Sequence, residues 1–344
     1  MEGEHCGCLG ARWAGSSVST DLDLPGSITR FVVHDWPVDG TRITHLRDLV
    51  AAGATYPEAH QVVAEMDRLT RGAYADTSGL SAEDVHLLRA AAQLRRLDGV
   101  VASHISAAAI WQLPLRESDL GTVHLSPRSG RRGKPKAGSG YRLHTRTVGT
   151  GEARSVDGIL TTDPVRTVVD CARLLRGDWG VVVADAACQR GLVGPDELRR
   201  QATRVRRLHG AARARALPDL CSPRSESPGE SLLRLRLRRM GLGPAEQVSM
   251  PWVQGHPRVD FLIDEWLVIE FDGRTKYSLD GDPERAHWEE KRRHDRLVEA
   301  GYDVIHVVWA ELWDEPALRR RINRAMRRSG RRGTPHPVRP PALR

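Results

Sequence analysis

The chain has 344 residues, 40% of them hydrophobic, and a net charge of +8, enough for two or three packed domains on length alone. No apolar run approaches the roughly eighteen residues of a membrane span, and the N-terminus lacks the charged, apolar and small-residue succession of a secretion signal. Five cysteines, Cys6, Cys8, Cys171, Cys188 and Cys221, are odd in number and scattered; that pattern excludes a disulfide framework and points to a reducing cytoplasm.

Residues 1–30 carry little periodicity and read as a disordered stretch or a misassigned start; His5, Cys6 and Cys8 have no distant second pair to complete a metal site. Thr44–Ala52 reads as a helix broken by Gly53, and Tyr56–Asp67 as a second helix. The run Arg68-Leu69-Thr70-Arg71-Gly72-Ala73-Tyr74 follows. Two short helices joined by a glycine turn fit a helix-turn-helix, with the later segment as a wing. The second helix, Pro57 to Met66, has no Lys or Arg, so His60 and Gln61 are its candidates for base edges, with Arg68 and Arg71 on phosphates. A helical packing module that touches no DNA is the other reading.

Residues 81–97 form an amphipathic helix, with Val85, Leu87, Leu88, Ala91 and Leu94 at near-helical spacing. Two further segments stand out, Val100-Val101-Ala102-Ser103-His104-Ile105-Ser106 and Thr161-Thr162-Asp163-Pro164-Val165-Arg166-Thr167-Val168-Val169-Asp170. In the second, Thr162 or Asp163 caps a helix begun by Pro164. Ser103, His104 and Asp170 read as a helix start with a buried histidine rather than a triad, because no spacing sets a nucleophile beside a base. Between these segments the Gly/Pro/Ser-rich stretch from Arg128 to Arg142 offers Arg131, Arg132 and Lys134 to phosphates. The pattern over 41–76 and the segments over roughly 98–200 resemble the AbiEi-family antitoxin-like proteins. The resemblance implies a winged-helix-like unit over 31–80, a middle α/β domain over 81–205, DNA binding and a partner toxin.

After a linker over 206–226, Ser227-Pro228-Gly229-Glu230 opens a helix in capping-box form, ended by Gly241. A short strand is expected around Glu246–Val253. Arg258–Ile263 and Leu267–Asp272 read as a hairpin pair, followed by a helix over Pro283–Ala300, a strand over Tyr302–Trp309 and a helix over Glu315–Met326. Strands covered on both faces should be almost wholly apolar, yet Asp260, Glu270 and Asp272 interrupt them. A three-residue turn, Asp264 to Trp266, sets Asp260 opposite Glu270 with Cβ atoms about 4.5–5.5 Å apart; a two-residue turn separates them onto opposite faces. Two carboxylates so close invite a divalent cation.

Glu230, Val259-Asp260-Phe261, Val268-Ile269-Glu270-Phe271-Asp272-Gly273, the helix bearing Arg293, His294, Asp295 and Leu297, and Gly301-Tyr302-Asp303-Val304 together resemble the very-short-patch-repair-endonuclease-like branch of the PD-(D/E)XK nuclease superfamily. The resemblance implies a restriction-endonuclease-like αβββαβ domain over 227–328. It implies a Mg²⁺ or Mn²⁺ held by Asp260 and Glu270, with Glu230 as the helix acid. The superfamily usually carries Lys two residues after the second acid, where this chain has Asp272; Lys276 or Lys291 is the candidate replacement, and Asp272 or Glu230 the group acting on the attacking water. The basic tail, 329–344, and Arg320 and Arg324 before it would meet nucleic acid. The expected molecule is an α/β multidomain, metal-dependent DNA endonuclease or nickase. The alternative is a DNA-binding antitoxin-type regulator with an inactive nuclease fold, and the sequence does not separate DNA from RNA as target.

Overall fold

A computed structural model describes residues 42–128, 136–138, 140–273 and 283–332. The protein is a mixed α/β molecule whose described residues fall into two compact units, one ending at Asp219 and the other starting at Leu220. No helix among them is long and apolar enough to cross a membrane.

The first unit opens with β1 (Thr44–His45), α1 (Leu46–Ala51), α2 (Tyr56–Val62), β2 (Asp67–Thr70) and β3 (Ala73–Ala75), the strands forming a small sheet in the order β1-β3-β2. Thr44 and His45 were expected to be helical; they pair instead with Tyr74 and Ala73, and the helix begins two residues later, at Leu46. Gly53 (φ 103°) and Gly72 (φ 76°) make the two turns that only a residue without Cβ takes without strain. A capping box between Thr55 and Glu58 starts α2, and Leu46, Ala59 and Val63 close a miniature core.

Then follow α3 (Ala82–Arg96), β4 (Val100–Ala102), α4 (His104–Ile110), β5 (Val123–Pro127), β6 (Lys136–Gly138), β7 (Tyr141–Leu143), β8 (Ala153–Val156) and β9 (Ile159–Thr162). The six strands make one sheet in the order β6-β7-β5-β4-β9-β8. It is mixed: β5 pairs parallel with β7, and β4 parallel with β9, with antiparallel ladders elsewhere. All of α4 is buried, which its Ala-rich sequence permits. Helix α5 (Pro164–Leu174) has Pro164 in its first turn and Asp163 as N-cap, accepting the Arg166 amide at 2.7 Å. The unit finishes with α6 (Trp179–Gln189), α7 (Pro195–Thr203) and α8 (Ala211–Leu220), the last ending at the boundary. Helix α8 occupies the stretch read as a linker: Ala211, Ala214 and Leu217 repeat every third residue and are buried, a stripe hidden by the surrounding arginines.

The second unit runs α9 (Pro228–Arg239), β10 (Ala245–Ser249), β11 (Arg258–Ile263), β12 (Leu267–Asp272), α10 (Pro283–Glu299), β13 (Asp303–Val308), α11 (Trp309–Trp313) and α12 (Glu315–Arg332). Its sheet has the order β10-β11-β12-β13, antiparallel except for the β12–β13 pair. The β11–β12 turn holds three residues, with Asp264 and Glu265 both left-handed (φ 49° and 62°), so Ile263 faces Leu267 and Phe261 faces Ile269. On one face Val248, Met250, Val259, Leu262 and Val268 pack under Leu297 and Tyr302. Against the other, α9 approaches so closely that a Cβ on Gly229 would lie 1.9 Å from the Phe271 ring. Trp309, expected to end a strand, starts α11 because Glu311 reaches back to the Val308 amide at 3.1 Å.

Candidate functional site

At the end of the four-stranded sheet, the β11–β12 ladder stops at Phe261↔Ile269. Beyond it a side chain takes over from the main chain: Oδ2 of Asp260 accepts the Phe271 amide at 2.8 Å. By strand alternation Val268, Glu270 and Asp272 share one face of β12.

Glu230 comes to this place from the first turn of α9. It is buried. Ser227 Oγ donates to it at 2.8 Å, the Glu226 amide at 2.8 Å and Gln247 Nε2 at 2.8 Å, while its own amide donates back to Ser227 Oγ. Glu230 therefore does the capping work its position suggests and also stands beside Asp260. Burial, and then the Asp260 charge, push its carboxyl up to about 7.

Glu270 is 4% exposed. Arg293, on α10, meets it with two nitrogens, Nη1 at 2.6 Å and Nη2 at 2.7 Å, and also holds Glu290 at 2.9 Å. Burial raises the Glu270 carboxyl to about 6; Arg293 works against that and Asp260 with it. Burial alone would lower the Arg293 pKa, but Glu290 and Glu270 raise it, so the guanidinium stays charged. His306, opposite Glu270 in the parallel β12–β13 register, sets Nδ1 3.7 Å from its carboxylate and Nε2 3.1 Å from His294 Nδ1. Burial, then His294, keep it below the ordinary histidine value.

Glu270, Glu290 and His306 each offer one ligand atom, and these lie within 4.8 Å of one another. Two carboxylates and an imidazole at that spacing can hold a metal ion. Asp260, expected to share the cation with Glu270, is outside this group, and its place is taken by Glu290 and His306.

The remaining candidates are placed as follows. Asp272 is half-buried at the end of β12, opposite Val308, and its charge reaches His306. Lys291 is exposed, with Nζ 5.2 Å over the Trp288 ring, and is not brought to the carboxylates. Lys276, Arg131, Arg132 and Lys134 lie outside the described residues. His60 and Gln61 on α2, Arg68 on β2 and Arg71 in the following turn are all exposed on one small subdomain. Arg320 and Arg324 are exposed one helical turn apart on α12.

Sequence reasoning gave Glu290, Arg293 and His306 no role in the site. The signal existed: Glu290, Arg293, His294 and Leu297 follow the i, i+3, i+4, i+7 spacing of one helix face, and His306 alternates with the apolar positions of β13.

No protein-family model matches the chain, and no solved structure matches it. The uncharacterized protein MT2308 of Mycobacterium tuberculosis strain CDC 1551 / Oshkosh is 31% identical over 196 residues, which span 55% of this chain and 69% of the relative. The uncharacterized protein Rv2248 of strain ATCC 25618 / H37Rv matches to the same extent, 31% over 196 residues. With that identity across more than two thirds of these relatives, the chain belongs to the family of the mycobacterial proteins MT2308 and Rv2248.

Proposed function

We propose that the second unit is a metal-dependent phosphodiesterase acting on DNA, an endonuclease or nickase. The observation that carries the reading is the meeting of Glu230, Asp260 and Glu270, from a helix and two strands, at the point where a hairpin ladder ends. The αβββαβ order and the resemblance to very-short-patch-repair endonucleases support it. A divalent cation bound there would polarise the scissile phosphate and lower the pKa of a bound water.

The chain's own residues take the other roles. Glu270, Glu290 and His306 are the donors. A set containing imidazole suits Mn²⁺ better than Mg²⁺, which prefers oxygen ligands and retained waters. Glu230, titrating near neutrality, is suited to exchange a proton with the attacking water. Arg293 supplies the positive charge that Lys two residues after Glu270 would have given, and it stands in α10 rather than in the strand. The exposed His60, Gln61, Arg68 and Arg71, on a winged-helix-like subdomain, are the proposed DNA contacts of the first unit, with Arg320 and Arg324 those of the second.

The test is nicking of supercoiled plasmid by the full chain with Mn²⁺ or Mg²⁺, with EDTA and Glu270→Ala as controls. Metal-dependent nicking lost in the variant is expected. Tight DNA binding with no cleavage under either metal would instead establish the antitoxin-type regulator. One observation favours that second reading: Arg293 occupies both oxygens of Glu270.

A further inference from the structure

A second polar cluster lies in the first unit, at the joining of β4, β7 and α5. His104, the first residue of α4, is buried in a left-handed conformation (φ 51°) that a non-glycine residue adopts only under constraint. Its ring stacks flat on His144, with centroids 3.5 Å apart and planes at 11°, and His144 Nε2 lies 2.9 Å from His124 Nδ1. Ser103 Oγ is 3.0 Å from His104 Nδ1, and Asp170 is 4.0 Å from Nε2. Burial holds all three imidazoles at about 3, so at neutral pH they are uncharged.

The charge in this cluster belongs to arginines. Fully buried Arg166 pairs through Nε with Asp170 at 2.5 Å and through Nη1 with Glu152 at 3.0 Å. Arg173 pairs with Asp170 at 2.7 Å, and half-buried Arg146 stands 4.0 Å from Glu152. Exposed Arg142 is close enough to act on His144. Three guanidiniums, those of Arg146, Arg166 and Arg173, thus share two carboxylates, an excess of one positive charge. Two donors are also left over: Arg146 Nη1 and Arg166 Nη2 are buried with no hydrogen-bond partner among the described residues. A buried donor without a partner costs about 1–3 kcal/mol, and native interiors rarely leave one so. Here two such donors come from neighbouring guanidiniums flanking the same Glu152. The cluster grades from buried Arg166 and His104 through half-buried Arg146 and His144 to exposed Arg142.

We propose that this cluster is a binding site for a phosphate monoester dianion, held by Arg146 and Arg166 with His144 and Arg142 at its mouth. Paired guanidinium forks match the oxygens of a phosphoryl group, and its two negative charges answer the one excess charge of the network and that of Arg142 at the mouth. The site is separate from the carboxylate centre of the second unit and does not depend on the reading given to that centre.

Thermal unfolding of the full chain tests it, in inorganic phosphate against chloride at matched ionic strength. Phosphate at about a hundred times its dissociation constant should raise the Tm by roughly 5–10 °C. Arg146→Met should abolish that rise while leaving the Tm in chloride almost unchanged, because Glu152 keeps its closer partner Arg166 at 3.0 Å and the unpartnered Arg146 donor leaves with the side chain. Arg142→Gln, at an exposed position, should weaken phosphate binding severalfold without altering the fold. Nucleoside 5′-monophosphate and a 5′-phosphorylated against a 5′-hydroxyl oligonucleotide, run in the same assay, identify which carrier of the group binds best. The proposal fails if phosphate gives no rise beyond chloride, or if the rise persists in Arg146→Met. It also fails if Arg146→Met lowers the Tm in chloride and phosphate alike, which is the mark of a purely structural network.

Discussion

Arg293 grips Glu270 at both ends of the carboxylate, 2.6 Å and 2.7 Å away, and reaches Glu290 with the same guanidinium. One guanidinium therefore pairs with two acids of the candidate metal group. Removing it strands a buried charge. Arg293→Gln is expected to destabilise the second unit by about 2–4 kcal/mol, measured by urea unfolding. Mn²⁺ should recover part of that loss in the variant and stabilise it more than the parent. An equal response to Mn²⁺ in both proteins would show that Arg293 and the cation do not compete for these oxygens.

His306 is the one nitrogen donor in the group. His306→Ala should weaken Mn²⁺ binding about tenfold or more and leave any Mg²⁺ response almost unchanged. Calorimetric titration with each metal separates the two; parallel losses would argue for an all-oxygen site elsewhere.

Glu230 and Glu270 are raised from 4.5 to about 7 and about 6. The folded state holds these protons more tightly than the unfolded chain. Their contribution to stability is therefore complete below about pH 4.5 and is lost as pH rises through 6 and 7. Unfolding free energy should fall across that window by on the order of 5 kcal/mol from these two groups. Glu230→Gln should flatten the upper part of the curve, and denaturant titrations at half-unit pH steps would reveal a slope left intact.

Gly229 lets α9 settle on the Phe271 ring, with no room for a Cβ. Gly229→Ala is expected to cost about 1–3 kcal/mol through overpacking and to lower any activity that needs Glu230 in place. Phe271→Leu should relieve part of the first effect, so a double-mutant cycle should return a clear coupling energy. Additive losses would mean that the helix shifts elsewhere.

The second unit was largely legible because its signals are local and strong. Ser227-Pro228-Gly229-Glu230 fixes a helix start, Gly241 its end, and apolar runs broken by single acids mark strands and a site together. The frame of the hairpin was an open choice between two turn lengths; Asp264 and Glu265 both going left-handed decided it, and neither residue type announces that. Glu290 and His306 were not legible as partners of Glu270, since a helix and a parallel strand bring them there through packing rather than spacing. In the first unit, sequence read Ser103, His104 and Asp170 as a helix start with a buried histidine, and His104 does open α4 and is buried; sequence did not foresee that Ser103 Oγ would lie 3.0 Å from His104 Nδ1 and Asp170 4.0 Å from its Nε2. What sequence could not reveal was that His124 from β5, His144 and Arg146 from the stretch after β7, and Arg166 from α5 gather around them. The α8 stripe was hidden by composition, and Thr44–His45 by a strand partner almost thirty residues away.

The hairpin tip from Asp264 to Trp266 is the kind of exposed loop where proteins ordinarily absorb insertions and deletions without harm. This one has no such freedom. Losing or gaining a single residue there would turn β12 over, sending Glu270 toward α9 and Phe271 toward α10, and would dismantle chemistry several residues away without touching any group that performs it. Among relatives that keep the acids, loop length at this tip should be invariant.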